Sequence, residues 1–552
     1  MKLFRPWNSS AETEPDPTPS HTAAAQLSDA PDSSRGALRI TYTDDPRVAR
    51  EQRSEDYATH VVPPSARVPR GKLTMAAWSL LSALNWVFYG ALAAALVGTA
   101  QAIAGIIVSV VVYSGINAFM AGYGTRFGLG SFLLSRRMFG IRGAWLTPLL
   151  IATGTTYFAV FESSVLAVAF KSYFGVLDIR WWYLIVIAAI LPLTLGSVQT
   201  WLAKVNAVLL PVYVLGIAAA VVVAAVRNHS GTQWLGFAGL DPGAPHPIPG
   251  WLEVFCLYMG VWLLMPVTVD FATLGRAKDL KFHQNVTFGW VFYTWLFLLN
   301  GSAGIFLVHT VLPGRPAAET GVVQALLGTL GGFGVILLVA TQTRINTTNY
   351  YLASGNWHRF FSGALALRLP RVAWVGIVAA GVYLLMLTDV FSYLQRALLF
   401  QGVFLVGWVG VVITHFALSG ADRKAEPEFR ATRVGALTPG FGAWLLSAVV
   451  GIALVAEPEA FPVLSPLAPL VTLATSMVSY ALVFTLLPSG RKGDGAPDLR
   501  DEVDDVWAAR VRCDTCHRSY VALEMDFVED GTKACCLACA DHRTKPARSA
   551  AT

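Results

Sequence analysis

The chain contains long uncharged apolar stretches that recur along most of its length. Residues 322–340, for example, read VVQALLGTLGGFGVILLVA and hold no charged residue. A helix needs about 20 apolar residues to cross the hydrocarbon core of a bilayer. With 54% hydrophobic and 14% charged residues, the composition lies outside the usual range for soluble domains. We therefore predict an all-α polytopic membrane protein, with twelve transmembrane helices at approximately 75–97, 100–122, 144–170, 181–199, 203–226, 251–270, 287–311, 322–348, 371–388, 391–417, 438–456 and 466–487.

The basic residues predict the orientation of these helices. Connections after even-numbered helices hold fifteen Lys and Arg residues, whereas the opposite connections hold four. Because cytoplasmic loops are enriched in Lys and Arg, both termini are predicted to be cytoplasmic in a multi-pass plasma-membrane protein. The net charge of +6 is explained by this topology and gives no sign of a nucleic-acid partner.

Three segments lie outside the predicted twelve-helix membrane domain at 72–487. Residues 1–71 are polar and rich in Ser, Pro and Ala, so we predict a disordered cytoplasmic tail without a signal peptide. Residues 488–512 have the Gly, Pro and charge content of a linker, and residues 513–542 form a separate small module.

Five of the six cysteines fall in that module. Cys513-x2-Cys516 and Cys536-x2-Cys539 have the spacing of a four-thiolate zinc site, in which two tight turns each supply a ligand pair. Two disulfides are the alternative, although a reducing compartment disfavours them. Further ligand candidates are Cys535, His517 and His542. Such a module is folded by its structural zinc ion and commonly binds a partner protein.

Two predicted helices carry polar residues near the bilayer centre, where ionisable groups are costly and raise the expectation of function. Glu162 lies mid-span in the third helix, either as a hydrogen-bonded core residue or as a group that binds substrate or protons. Asn85 follows Ser79 and Ser82 in the first helix, either at a discontinuity that binds ligand or in a plain interhelical hydrogen bond.

The sixth helix combines Gly260 and Pro266, which predicts a break in it. Trp262 lies at this break and either stacks on a planar substrate or packs against neighbouring helices. Asp270 follows at the helix end, either as a helix cap or partner for Arg276 and Lys278, or as a transport residue.

The eighth helix contains the stretch TQTRINTTNYY, residues 341–351. Arg344 is predicted toward the cytoplasmic third of the bilayer, so its side chain either snorkels to the headgroups or has a site role. Asn346 and Asn349, with Thr343 and Thr347, supply more donors and acceptors than snorkelling requires.

Several of these segments resemble the nucleobase-cation symporter family, the purine-cytosine permease-like transporters. The resemblance rests on GYGTRFGLGSFLLSRRMFGIRGAW (122–145), Tyr157-Phe158, Asp270-Phe271 and RINTTNYYLASGNWHRFF (344–361), and it extends over about residues 72–487. It implies a LeuT-like five-plus-five inverted repeat with two further helices, which works by alternating access.

The resemblance also implies a substrate site between helices 1, 3, 6 and 8. Tyr157, next to Phe158, stands where relatives have a stacking Trp, Trp262 would be the second stacking ring, and Asn349 would read the edge of a heterocycle. Phe161 replaces a polar amide of the relatives, so Glu162 at the next position changes the expected hydrogen bonding.

The alignment on Asn349 places Ala340, Thr343 and Arg344 at positions that supply sodium ligands in sodium-coupled relatives. An arginine keeps its proton and its charge. We therefore hypothesise that Arg344 replaces sodium and joins the first and eighth helices, with Glu162 or carbonyls near Asn85 as partners. Proton coupling would then proceed through Glu162, with Asp270 as a further coupling candidate, or transport would be uncoupled.

Two functions follow from the sequence. The first is a secondary transporter of a nucleobase or a related heterocycle such as a hydantoin or allantoin. The alternative is a transporter-derived sensor that signals through the zinc module to a cytoplasmic partner. No motif for enzymatic chemistry is recognisable in the sequence.

Overall fold

The computed structural model describes residues 38–194, 203–243, 246–313, 319–367, 369–388, 394–425, 427–487, 497–528 and 532–543. These residues form a helical bundle that carries a small β-containing module on one face. The helices are α1 Pro46–Ser54, α2 Arg70–Ala77, α3 Leu84–Val97, α4 Thr99–Phe127, α5 Ser131–Gly143, α6 Leu146–Phe174, α7 Ile179–Thr194, α8 Ala203–Arg227, α9 Gly250–Met259, α10 Leu264–Ala272, α11 Leu280–Phe282, α12 Trp290–Tyr293, α13 Asn300–Val311, α14 Glu319–Leu330, α15 Gly332–Ala364, α16 Arg371–Met386, α17 Leu394–Leu418, α18 Gly420–Lys424, α19 Pro439–Ala456, α20 Ala468–Leu486 and α21 Leu537–Arg543.

Two of the predicted membrane helices are broken in the middle. The first consists of α2 and α3, joined by a 3-10 turn at Trp78–Ser82, and the whole bends by 44°. The sixth consists of α9 and α10, bent by 48° around residues 260–263. The predicted break in the sixth helix and the suspected discontinuity in the first are therefore both present.

The chain is a multi-pass membrane protein by the length and composition of its helices. Among the described residues, seven helices are long and apolar enough to cross a membrane, or up to nine if each bent pair counts as one span. Three further apolar helices are shorter: Ile179–Thr194, Gly321–Leu330 and Arg371–Met386. The count of twelve spans stays a prediction.

The predicted eighth helix, 322–348, is wrong in its bounds. The apolar run is interrupted at Gly331, which has a φ of +57° and separates α14 from α15. Helix α15 then continues for 33 residues. Arg344 therefore lies well inside a long helix, which continues beyond it to Ala364.

Glycines allow helices α3 and α13 to approach closely. A Cβ atom at Gly304 would lie 1.8 Å from the Val87 carbonyl oxygen, and one at Gly90 would lie 2.1 Å from the Gly301 carbonyl oxygen. Small residues at such crossings are a general feature of helix packing in membranes. The contact holds the second half of the broken first helix against the bundle.

The C-terminal module is built from four short strands and helix α21. The strands are β2 Arg510–Arg512, β3 Ser519–Val521, β4 Asp526–Val528 and β5 Lys533–Cys535. A strand from the N-terminal region, β1 Ile40–Thr41, completes a three-stranded antiparallel sheet in the order β1-β2-β3. β4 and β5 form a separate antiparallel pair.

These contacts change two predicted boundaries. Residues 38–71 were expected to belong to a disordered tail, yet they contain β1 and α1 and pack against the module and the bundle. The linker predicted at 488–512 includes strand β2 and a 3-10 turn at Leu499–Glu502, which belong to the module. Residues 1–37 and 488–496 lie outside the described part of the chain.

Candidate functional site

A small cavity lies where the two helix breaks meet helices α6 and α15. Its walls are mostly apolar. The lining residues are Leu80, Ala83, Asn85, Trp86, Thr155, Phe158, Glu162, Val261, Leu263, Leu264, Val267, Ile345, Asn349 and Leu352. Four of the predicted site residues, Asn85, Phe158, Glu162 and Asn349, are therefore brought together here.

Three polar side chains of the cavity offer atoms that are buried and unpaired among the described residues: Asn85 Oδ1, Glu162 Oε2 and Asn349 Nδ2. The other carboxylate oxygen of Glu162 accepts the backbone N–H of Asn85 at 3.3 Å. Gln342 lies beside this carboxyl group. Because a buried polar atom without a partner costs about 1–3 kcal/mol, such atoms in a cavity indicate a ligand or ordered water that satisfies them.

Three predicted substrate residues do not line the cavity. Trp262 is buried and packs edge-on against Tyr113, with ring centroids 6.3 Å apart. Tyr157 is half-buried and meets the Phe158 ring edge-on at 5.4 Å. Asn346 faces helix α6, where its Oδ1 accepts the Ser163 hydroxyl at 3.4 Å.

The aromatic wall of the cavity comes from Phe158 and Trp86. Trp86 is not among the site residues predicted from the sequence. The Trp86 indole N–H donates to the Leu80 carbonyl oxygen at 2.7 Å, so the ring is fixed to the broken segment of the first helix. Its position next to Asn85, directly after a predicted discontinuity, is the signal that would have identified it.

Arg344 joins the eighth helix to the break in the first. Its side chain is 0% exposed, so it does not snorkel to the bilayer surface. The guanidinium donates through Nη2 to the Trp78 carbonyl oxygen at 3.0 Å. Trp78 begins the 3-10 turn, where carbonyl groups lose their helical partners.

Neighbouring side chains reinforce this junction. Thr348, one turn further along α15, donates to the Ser79 hydroxyl at 2.9 Å. Asn300 on α13 donates through Nδ2 to the Leu81 carbonyl oxygen at 2.9 Å. The broken segment is thus held by polar groups of two helices. Of the other predicted ion-site residues, Ala340 is buried and Thr343 is half-buried on α15.

Asp270 lies outside the cavity. Its carboxylate accepts the backbone N–H of Ser131, the first residue of α5, at 2.7 Å. The Arg359 guanidinium of α15 is close enough to interact with it electrostatically. This geometry matches the alternative of a helix cap, because a carboxylate at a helix N-terminus satisfies a free N–H group.

The N-terminal region adds a second buried carboxylate to the same face of the bundle. Burial raises the pKa of Asp56 to about 6, although the charges of Arg359 and Arg371 favour its ionised form. Both arginines also bind carbonyl groups of this region: Arg359 donates to Glu55 at 3.3 Å and Arg371 to Ser54 at 3.1 Å.

The four predicted metal ligands converge in the C-terminal module. The Sγ atoms of Cys513, Cys516, Cys536 and Cys539 all lie within 4.8 Å of one another, and those of Cys516 and Cys536 are 3.9 Å apart. Tetrahedral coordination with Zn–S bonds of about 2.3 Å places sulfurs about 3.8 Å apart. The Cys536 N–H also points to the Cys513 sulfur at 3.4 Å. The cluster can therefore hold a metal ion.

The alternative ligands are less well placed. Cys535 is buried, but its sulfur is not part of the four-sulfur group and points to the Cys536 carbonyl oxygen at 3.6 Å. His517 is exposed at the turn after Cys516. The side chain of His542 lies outside what the structure describes.

Comparison with known proteins identifies the fold through structure alone. No model of a known protein family matches the sequence, and no curated protein matches it. Among solved structures, the fold is similar to that of the protein Mhp1. The inward-facing structure of Mhp1 aligns with a TM-score of 0.60 and 14% identity, over 77% of this chain and 92% of Mhp1.

A second structure of the same transporter agrees. Mhp1, a nucleobase-cation-symport-1 family transporter, aligns in its closed conformation with bromovinylhydantoin bound, at a TM-score of 0.55 and 16% identity, over 78% of this chain and 95% of Mhp1. At this identity the likeness shows a shared fold. The predicted fold class, an all-α polytopic membrane protein, is confirmed by this shared fold and by the apolar helices, whereas the twelve spans stay a prediction.

Proposed function

We propose that this chain is a secondary transporter of the nucleobase-cation symporter family, and not an enzyme, with a nucleobase or a related small heterocycle as substrate. The observation that carries the proposal is the cavity at the two helix breaks, with unpaired atoms of Asn85, Glu162 and Asn349 in apolar walls. Discontinuous helices around a central site are the usual construction of alternating-access transporters. The shared fold with Mhp1 supports the same conclusion.

The chemistry of the cavity suits a flat ring with polar edges. Trp86 and Phe158 supply aromatic surface, and most other lining side chains are aliphatic. An unpaired amide donor from Asn349 and an unpaired acceptor from Asn85 can read a lactam or amidine edge of such a ring. Stacking tolerates different rings, whereas the polar atoms select the edge pattern.

Arg344 takes the place of a sodium ion in this proposal. Its guanidinium donates a hydrogen bond to a carbonyl oxygen of the broken first helix, a group that a bound cation could otherwise coordinate. Because arginine does not release its proton, a second cation at this position would meet a fixed positive charge. Transport is accordingly sodium-independent, and protons couple to it through Glu162, which is buried at the cavity.

The proposal places the protein in the plasma membrane with both termini in the cytoplasm, because basic residues favour that side. The four-cysteine cluster holds a structural Zn²⁺ ion. All four of its ligands come from protein thiolates, so no position is open for a reacting water.

A ligand-binding panel tests the proposed substrate class. We expect purines, pyrimidines, hydantoins or allantoin to include a compound that raises the melting temperature of the purified protein by a few degrees, equally with and without sodium. A ligand at a hundred times its Kd stabilises the folded state by about 2.7 kcal/mol. Differential scanning fluorimetry in matched sodium and choline buffers measures the shift.

The Asn349→Ala variant should lose this ligand-induced shift, because it removes the free amide of the cavity. The Asn285→Ala variant is the control, since that exposed side chain bonds only to the Lys281 carbonyl oxygen of its own segment. The proposed site would be contradicted if no heterocycle raised the melting temperature, or if the Asn349→Ala variant showed the same shift as the wild-type protein.

A further inference from the structure

The N-terminal region, residues 38–69, is held between the metal module and the helical bundle. We call it the strap. On the module side, β1 pairs with β2, Arg510 bonds to Asp44 at 2.7 Å, and Arg518 bonds to Glu51 at 2.7 Å. The strap leads directly into α2, which begins at Arg70.

The centre of this contact is Glu524 of the module, whose side chain is 1% exposed. Its two carboxylate oxygens bind consecutive residues of the strap: Oε2 contacts His60 Nδ1 at 2.9 Å, and Oε1 accepts the N–H of Val61. One buried side chain of the module therefore fixes the strap just before it reaches the bundle.

On the bundle side, the strap is tied to the ends of two helices. The Val62 N–H donates to the Gly128 carbonyl oxygen at 2.9 Å, directly after α4. Arg67 donates to the Thr125 carbonyl oxygen at 2.6 Å, and the Val68 N–H to that of Leu274 at 2.8 Å, directly after α10. The strap thus links α2, the first half of the broken first helix, to the end of α10, the second half of the broken sixth helix.

The module is itself anchored to the bundle by two arginines, of which Arg136 is buried and Arg433 is half-buried. Arg136 of α5 binds both carboxylate oxygens of Asp541, at 3.2 and 2.5 Å. Asp541 lies on α21, the helix that carries the ligand Cys539. Arg433 similarly binds both oxygens of Asp526, at 2.8 and 3.1 Å, and Asp526 pairs with Cys535 across β4 and β5.

The module has little structure that would form without a metal ion. Its strands are three residues long, and its hydrophobic cluster includes the cysteines and depends on Val48 of the strap and Ile141 of the bundle to be covered. Small domains with four-thiolate sites obtain their folding free energy from the metal. Loss of the ion would therefore loosen both sets of anchors.

We propose that the four-cysteine site is a metal-dependent clamp on α2, the half-helix that closes the cavity on this face. A tetrahedrally coordinated divalent ion such as Zn²⁺ folds the module, and the folded module holds the strap and α2 against the ends of α4 and α10. This inference rests on the proposed function, because α2 must move if the cavity is to open toward this face by alternating access. Metal occupancy then restrains opening on the face that carries the module.

Hydrogen exchange on the full-length protein tests the clamp without any substrate. Metal content is measured in the same samples, before and after treatment with EDTA and after Zn²⁺ is restored. We expect amides in peptides covering 57–77 to exchange about tenfold faster when the ion is removed, because the free energy of local opening falls. Exchange should slow again when Zn²⁺ is restored. Peptides from 439–456, in α19, should not change.

A variant separates the clamp from general unfolding. Glu524→Ala should keep one metal ion per chain and yet show the fast exchange of the metal-free protein at 57–77, because it removes both contacts to the strap. Glu459→Ala, at an exposed position outside the module, is the matched control. Metal loss that leaves exchange at 57–77 unchanged, or slow exchange in metal-loaded Glu524→Ala, would overturn the proposal. Both results are independent of whether the protein transports a heterocycle.

Discussion

The Arg344→Ser variant is expected to lose uptake in sodium-free buffer and to become sodium-stimulated. The substitution removes the guanidinium that donates to the part-buried Trp78 carbonyl group, which costs about 1–3 kcal/mol, or about fivefold to 150-fold in the population of the competent state. A serine hydroxyl beside free carbonyl groups is a suitable oxygen ligand for a hard cation. Initial uptake rates in proteoliposomes, in sodium and in choline buffers, measure both effects.

Two further variants serve as controls for Arg344→Ser. Arg344→Lys retains a positive charge and a donor, so it should remain indifferent to sodium. Arg227→Ser removes another arginine that donates to a helix-terminal carbonyl oxygen, that of Thr329 at 2.8 Å, but lies away from the broken segment. It should leave the ion dependence unchanged. An active Arg344→Ser protein that still ignores sodium would disprove the role given to Arg344.

The second large effect is expected for Glu162→Gln. Glutamine keeps an oxygen that can accept the Asn85 N–H, so the local geometry is retained, but it cannot bind and release a proton. We expect accumulation driven by an inward proton gradient to fall about tenfold or more, as for other buried carboxyl groups that relay protons. Exchange of internal for external substrate without a gradient should persist.

Glu253→Gln is the matched control for Glu162. That carboxylate lies near the surface and pairs with His246 at 3.2 Å. Its removal should not affect the response to a pH gradient. If Glu162→Gln still accumulates substrate in response to the gradient, the coupling role of Glu162 is wrong, whereas loss of exchange as well would assign Glu162 to substrate binding.

The helix breaks could be predicted because they have local causes. Gly260 and Pro266 weaken the sixth helix, and Ser79, Ser82 and Asn85 interrupt the first. The positions of the two breaks therefore depend on short stretches of sequence. The same is true of the cysteine pairs, since two tight turns with fixed spacing define a tetrahedral site. These features depend little on distant parts of the chain.

Other features depend on tertiary contacts. The direction in which Trp262 points is set by the geometry after the break, and it turns to Tyr113 while Trp86 takes a place in the cavity. The start of the eighth helix depends on the positive φ of Gly331. This residue lies within an apolar run that shows no interruption in its hydropathy. Residues 60 and 61 are bound by Glu524, which lies more than 450 positions away in the sequence.

The most direct test of the central claim is uptake by the wild-type protein in proteoliposomes, with the heterocycle that stabilises it most. Initial rates are compared with sodium or choline outside, at the same inward proton gradient. We expect saturable uptake at equal rates in the two buffers, because Arg344 occupies the place of the cation. Uptake that requires sodium, or no uptake of a heterocycle that binds, would contradict it.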